Sequence, residues 1–215
     1  MIKQIGIHRV QNKDVTALNA IATLMQEEKA CMMYSDPPWG EGNIKYWATM
    51  NKKMTGNENI PATLENFLQA VFDAGRDHVT DYMLIEYGIR WREQIIQKGK
   101  EAGYAHLAVI NIQYRGGKNG GLLPLDLHVF AKNGNNLPDN YIESVLDSSG
   151  FDCVMKAFEP IAKQMKAKYG NPIVLDPCCG MGYTAQASIN TGMAFRGNEL
   201  NSKRLDKTIA RLNKA

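Results

Sequence analysis

The stretch from Ile173 to Leu200 limits what this chain can fold into more than any other segment does. It reads Ile-Val-Leu-Asp-Pro-Cys-Cys-Gly-Met-Gly-Tyr-Thr, continues through a helix-like stretch to Asn190, and ends in Met-Ala-Phe-Arg-Gly-Asn-Glu-Leu. An apolar run, a glycine turn, a helix and a second apolar run closing on an acid make a strand–helix–strand unit. Such a unit belongs in a covered, mostly parallel sheet. Gly180 and Gly182 leave out a Cβ where backbone passes close to a ligand. Glu199, at the tip of the second strand, is placed to accept hydrogen bonds from a ribose diol. The turn lacks a third glycine and begins Asp-Pro, so a nucleoside without a pyrophosphate suits it better than a dinucleotide.

A second motif lies far upstream. Asp36-Pro37-Pro38-Trp39 follows the apolar run Ala30-Cys31-Met32-Met33-Tyr34 and precedes Gly40, so it reads as the end of a buried strand opening into a loop. Two consecutive prolines remove two backbone donors and leave carbonyls facing outward beside an indole. Acceptors next to an aromatic face suit a flat substrate bearing an amino group, such as a nucleobase. A glycine turn alone would be weak evidence of a cofactor site. Together with this tetrapeptide it points to a nucleoside cofactor such as S-adenosyl-L-methionine.

The pair of motifs resembles the S-adenosylmethionine-dependent amino-methyltransferases of nucleic acids, whose catalytic motif is Asp/Asn/Ser-Pro-Pro-aromatic and whose cofactor motif is Asp-Pro-x-x-Gly-x-Gly. The leading Asp and the Trp are similar to the adenine-N6 DNA enzymes. The catalytic motif precedes the cofactor motif by about 140 residues, as in the permuted (beta-class) type. The resemblance implies an α/β, Rossmann-like class I methyltransferase fold, circularly permuted, with seven mostly parallel strands in the order 3-2-1-4-5-7-6. It implies Asp36, Pro37, Pro38 and Trp39 as the catalytic set. Asp176, Pro177, Cys178, Gly180, Gly182, Thr184, Glu199 and Leu200 would form the cofactor site. The reaction implied is methyl transfer to adenine N6 in DNA within a restriction-modification setting; cytosine N4 and RNA adenosine are the alternative targets. A catalytically silent subunit that keeps the fold is an alternative of another class.

The remaining elements fit one domain over residues 1–215, with a leading strand and helix in 1–35, a catalytic half in 36–132 and a cofactor half in 152–215. Strands are expected at Ile2 to Val10, Cys31 to Ser35, Asp81 to Tyr87, His106 to Tyr114 and Leu123 to Lys132, the last two as a hairpin. Helices are expected at Thr16 to Lys29, 63 to 75, Ile89 to Ala102, Asp152 to Tyr169 and Ser202 to Asn213. The strand at Ile2 to Val10 would fill the place of strand 3, so that the chain ends lie together. A hydrophobic content of 44% provides enough core, and a net charge of +3 permits nucleic-acid binding without arguing for it. No membrane span or signal peptide is evident, which suits a cytoplasmic protein. The four cysteines and four histidines show no ligand spacing, so no metal is expected.

Residues 40 to 62 read as a long loop after the catalytic motif. Lys45, Tyr46 and Trp47 within it could contact phosphate and stack on bases, or the two aromatics could anchor the loop on the core. The hairpin tip, with Arg115 and Lys118, could reach a nucleic-acid backbone, but a solvated turn is the favoured reading. Trp91 reads as core, while Arg90 or Arg92 could face the substrate. Residues 132 to 152 are too few for a target-recognition domain, so little sequence reading is expected from this chain alone, and a homodimer is the favoured way to widen its surface.

Overall fold

A computed structural model describes residues 2–116 and 120–214; Lys118 lies outside these residues. The chain forms β1 (Ile2–Ile5), β2 (His8–Asn12), α1 (Ala20–Met25), β3 (Ala30–Ser35), α2 (Gly40–Thr55), α3 (Leu64–His78) and β4 (Val79–Tyr87). A 3-10 turn at Ile89–Trp91 leads to α4 (Arg92–Glu101), β5 (Ala105–Arg115), β6 (Leu122–Ala131), α5 (Tyr141–Val145) and α6 (Gly150–Tyr169). The chain then closes with β7 (Ile173–Asp176), α7 (Tyr183–Thr191), β8 (Ala194–Glu199) and α8 (Ser202–Leu212).

All the strands join one sheet in the order β1-β2-β8-β7-β3-β4-β6-β5. From β2 to β4 every pairing is parallel; β6 runs antiparallel to both β4 and β5. From β2 to β5 the expected order 3-2-1-4-5-7-6 is present strand for strand, with β7 as strand 1 of that scheme and β6 as its antiparallel strand. The sheet has eight strands, not seven. The run from Ile2 to Val10, expected as one strand, is a hairpin in which Ile5 faces His8 across Gly6 and Ile7. Gly6 sits at φ 53, where a residue without a Cβ turns the chain at no steric cost. β2, beside β8 and under α8, fills the place that the sequence assigns to the leading strand.

Two apolar layers sandwich the sheet. On one face Cys153, Ala157, Phe158 and Ile161 of α6, Ala185 of α7 and Leu205 of α8 pack on Tyr34, Leu84, Leu127 and Val174. On the other, Leu24 of α1, Leu68, Val71 and Phe72 of α3 and Ile95 of α4 cover Met33, Met83, Ile85 and Leu175. β3 is buried along its whole length. That is why its sequence is a continuous apolar run rather than an alternation.

Three expectations give way. Residues 40 to 55 form a helix, not a loop: Ile44, Ala48 and Asn51 recur at helical spacing and face inward, and the surrounding polar residues hide that stripe. Gly56, at φ 76, ends it. The helix expected from Thr16 is only α1, because Asp14 binds the Thr16 amide and hydroxyl and holds residues 14 to 19 as a turn. The helix expected from Ile89 begins as a 3-10 turn and becomes α-helical at Arg92.

At the amino end of β4, Asp81 is fully buried and accepts from Lys168, Tyr169, Thr80 and Asn135. Burial pushes its carboxyl up, and the four hydrogen bonds outweigh that push and hold it below the usual value. Asp81→Ala should lower unfolding stability by about 3 kcal/mol at neutral pH in urea titrations, because it leaves buried partners unmatched. A depressed native pKa means that this stability is present above the ordinary aspartate value and is lost as pH falls through the native one. The gap between variant and parent should therefore narrow below about pH 4.

Candidate active site

β8, β7 and β3 are adjacent parallel strands, and their carboxyl ends bring the two sequence motifs together. The connection from β7 runs one way along the sheet to β8, and that from β3 runs the other way to β4. The crevice at such a switch point is where open α/β sheets bind ligands. A cleft of about 450 Å³ opens there, within the range of small-molecule sites. Asp36, Pro37, Pro38 and Trp39 line one wall; Pro177, Cys178, Glu199 and Leu200 line another; Tyr46 and Trp47 of α2 cover it.

The catalytic turn is fixed from below. Tyr87 at the end of β4 donates its hydroxyl to the Pro38 carbonyl at 3.2 Å and accepts from the Gly40 amide at 3.0 Å. Gly40 sits at φ 67, and a Cβ there would lie 2.3 Å from the Trp91 ring. Trp91 is therefore the wedge that shapes the exit from the motif, packed edge-on against Tyr87. Trp39 Nε1 donates to Asp36 Oδ1 at 3.1 Å, which orients the carboxylate and the indole relative to each other.

Asp36 is exposed to the cleft, and the protein crowded around it pushes its pKa up to about 6; the Trp39 hydrogen bond and the Arg204 charge pull against that push. Behind it, burial raises Glu86 to about 8, with the Asp36 charge adding to the effect, and raises Asp176 to about 7. Glu86 also accepts from the Tyr34 hydroxyl. Asp36, Glu86 and Asp176 end three neighbouring strands, and carboxyls so placed cannot all ionise at neutral pH.

On the other wall, Glu199 accepts from the Gly180 amide at 2.8 Å and from the Asn201 amide at 2.9 Å. Burial pushes its pKa up, against the Arg204 charge and those two amides. One bond to each oxygen leaves lone pairs for further donors. Asn198 beside it gives its Nδ2 to the Pro177 carbonyl, while its buried Oδ1 has no partner among the described residues. Buried acceptors at the cleft floor with capacity to spare fit the hydroxyls of a nucleoside, and the acidic lining with Asp14 fits a cationic one.

The other expected cofactor residues build the turn instead of lining the cleft. Asp176 accepts from the Cys178 amide at 3.0 Å. A Cβ on Gly180 would lie 2.6 Å from the Arg204 guanidinium, and one on Gly182 would lie 2.8 Å from the Thr208 hydroxyl. The glycines thus admit α8 against the turn. Thr184 is buried at the start of α7. Lys45 is exposed and 3.7 Å from Glu41, and Arg90 is exposed over the Trp91 ring; neither lines the cleft. Arg92, the alternative to Arg90, forks onto buried Asp126 with both bonds at 2.8 Å.

Two cleft residues carried no sequence signal strong enough to single them out. Arg204 stacks over the Trp47 ring at 4.0 Å, between Glu199 and Asp36 in its electrostatic reach. Tyr114, near the end of β5, meets Trp39 edge-on with ring centroids 5.1 Å apart. Its role depends on a hairpin whose reach over the cleft only the fold reveals. Among the described residues there is no cluster able to hold a metal, and no helix is long and apolar enough to cross a membrane.

Several solved methyltransferases share this architecture. The M1.HpyAVI–SAM complex superposes with a TM-score of 0.63 at 17% identity, covering 95% of this chain and 98% of that one. TTHA0409 from Thermus thermophilus, a putative DNA modification methylase also crystallised with S-adenosyl-L-methionine, gives 0.57 at 16% identity, covering 96% and 93%. The PvuII DNA methyltransferase, which is cytosine-N4-specific, gives 0.59 at 10% identity, covering 95% and 86%. No protein-family model and no curated protein sequence matches the chain. The fold is that of these methyltransferases.

Gly40→Ala tests how the catalytic turn is held. It forces a Cβ into the Trp91 ring at a positive φ and should cost about 2 kcal/mol or more in denaturant unfolding. The combined variant with Trp91→Ala should recover part of the steric share of that loss.

Proposed function

We infer that the chain transfers a methyl group from S-adenosyl-L-methionine to the exocyclic amino group of a base in DNA, with adenine N6 as the target. One observation carries this reading: the Asp36–Trp39 acceptor turn and the spare acceptors of Glu199 open into the same cleft. The fold shared with methyltransferases crystallised with that cofactor supports it. Glu199 and Asn198 Oδ1 would hold the ribose, with Pro177, Cys178 and Leu200 against the rest of the nucleoside. Asp36 and the carbonyls of its turn would take the amino group. The cofactor supplies an electrophilic sulfonium methyl.

The residues of this chain do the rest by position and charge. An exocyclic amine is a poor nucleophile because its lone pair is delocalised into the ring. Asp36, accepting one N–H, and the Pro37 carbonyl, accepting the other, favour a pyramidal nitrogen with its lone pair aimed at the methyl. As positive charge grows on that nitrogen, the Asp36 carboxylate stabilises it, and a pKa near 6 lets the same carboxylate take the departing proton. Trp39, with Tyr114 packed edge-on against it, lines the cleft and offers the face on which an extruded base would stack. Cytosine N4 is the second reading, favoured by the shared fold with an N4-specific enzyme. Labelled cofactor incubated with DNA, followed by digestion and mass spectrometry, tests both and names the base.

Asp36→Ala should keep the fold and the cofactor affinity while lowering transfer at least about a hundredfold. Wild-type turnover in that variant would remove the turn from the chemistry. Glu199→Ala should weaken cofactor binding by about 1 to 3 kcal/mol in calorimetry.

The pH profile gives an independent check. Asp36 acts ionised and its pKa is raised, so transfer should be full above the raised value and fall as pH drops through about 6. Trp39→Phe removes the hydrogen bond that holds this pKa down, so the acid limb should move to higher pH while stacking is largely kept. A limb that stayed in place would separate the indole from the carboxylate's titration.

A further inference from the structure

The hairpin of β5 and β6 is longer than the sheet it belongs to. β6 pairs with β4 from Asp126 to Ala131, whereas its pairing with β5 runs on from Leu125 opposite Ile112 to Leu122 opposite Arg115. Residues 112–115 and 122–125 therefore form a two-stranded arm beyond the carboxyl end of β4, the end at which the cleft opens. Its base is anchored where the Gln113 amide donates to the Ser148 carbonyl at 2.8 Å. Beyond that anchor its apolar side chains are open to solvent: Leu122 is 53% exposed, Leu123 49% and Tyr114 44%. Tyr114 lies directly opposite Leu123, and its ring also lines the cleft beside Trp39.

Leu123 shares one face of the arm with Tyr114 and Leu122 shares the other with Arg115. Apolar groups left open on both faces of a projecting arm mark a contact surface, since a two-stranded ribbon gains little by exposing them. The position of the arm decides what that contact is. It stands at the mouth through which any base must enter, so a protein seated there permanently would shut the site. Its end carries Arg115, and exposed Arg90 stands on the turn that packs beside Trp39, both suited to phosphate. A base drawn out of a duplex leaves a gap in the stack, and short apolar side chains are what proteins insert between base steps.

We propose that this arm is a duplex wedge: Leu122 and Leu123 enter the base stack as the target base passes Tyr114 into the cleft. The proposal rests on the reading of the cleft as a nucleobase methyl-transfer site. It supplies a duplex-engaging element to a chain whose residues 132–152 are too few for a recognition domain. Arg115 holds the flanking backbone, and the apolar pair works by shape rather than by reading bases. The arm thus favours duplex over single-stranded substrate without setting sequence preference.

The test compares single-stranded phage DNA with its duplex replicative form, using labelled S-adenosyl-L-methionine. In the doubly substituted Leu122→Ser, Leu123→Ser protein, transfer to the duplex should fall at least about tenfold, while transfer to the single strand stays within about twofold. The Leu122→Met, Leu123→Met protein, still apolar, should keep duplex activity. Unchanged duplex transfer in the serine variant, or equal loss on both substrates, overturns the wedge. If that equal loss accompanies a change from dimer to monomer by light scattering, the arm belongs to a second copy of the chain. If the unaltered protein methylates neither substrate, the reading of the cleft fails and takes the wedge with it. Activity on the duplex with an indifferent serine variant sinks the wedge alone.

Discussion

The pairing of Met32 and Met33 with Val174 and Leu175 is the contact on which this molecule depends. It is a short parallel ladder between β3 and β7, and it joins segments at opposite ends of the chain. Closing so long a loop costs entropy, and it is offset because all four side chains are fully buried between the two helical layers. Once that ladder forms, Asp36 and Asp176 both emerge at the carboxyl end of the sheet, Asp36 two residues beyond the level of Asp176. The cleft, the acidic floor and the meeting of the two motifs follow from that register. A slip of one residue in either strand would turn that strand's aspartate to the other face of the sheet.

The electrostatics of the site follow from the same register. Parallel strands that end together crowd the carboxyls at their tips, with Glu86 and Asp176 buried and Asp36 at the open edge beside them. The result is a graded set in which Asp36, open to the cleft and held by an indole N–H, keeps its charge most readily. Glu86, sealed against Tyr34, keeps its proton longest. Such an arrangement sets the most readily ionised of the three carboxyls at the open edge of the cleft, with Asp176 and Glu86 held nearer neutrality behind it.

Much of this was legible in the residues. The strand order came from the family resemblance that the two motifs carry, and the strands themselves were visible because buried parallel strands leave continuous apolar runs such as 30–34 and 173–175. Asp36, Trp39 and Glu199 sit in the cleft because motif residues follow directly from strand ends, whose position the sheet dictates. What escaped notice has physical reasons. α2 was hidden because its inward face is narrow and includes an asparagine, so its periodicity is faint. The β1–β2 turn was hidden because it takes only Gly6 and Ile7 out of a segment that otherwise reads as one strand. Tyr114 and Arg204 enter the cleft through tertiary reach, the one by the length of a hairpin and the other by a helix packed on a glycine turn. No local pattern announces either.

Those glycines show how one residue type can serve two demands. The sequence suggests that Gly180 and Gly182 clear space for a ligand, and the structure places Arg204 and Thr208 of α8 where their Cβ atoms would be. The close approach of α8 gives the Gly180 carbonyl a partner in the Thr208 hydroxyl at 3.0 Å, while the Gly180 amide goes to Glu199. With both backbone groups of Gly180 satisfied within the protein, this residue has little left to offer a ligand directly. Its contribution is to hold Glu199 still. Glu199 is then pinned by one amide on each oxygen, so its remaining lone pairs point in fixed directions before any ligand arrives. The turn therefore acts on the cleft through the carboxylate it immobilises, and a substitution at Gly180 would be felt there first.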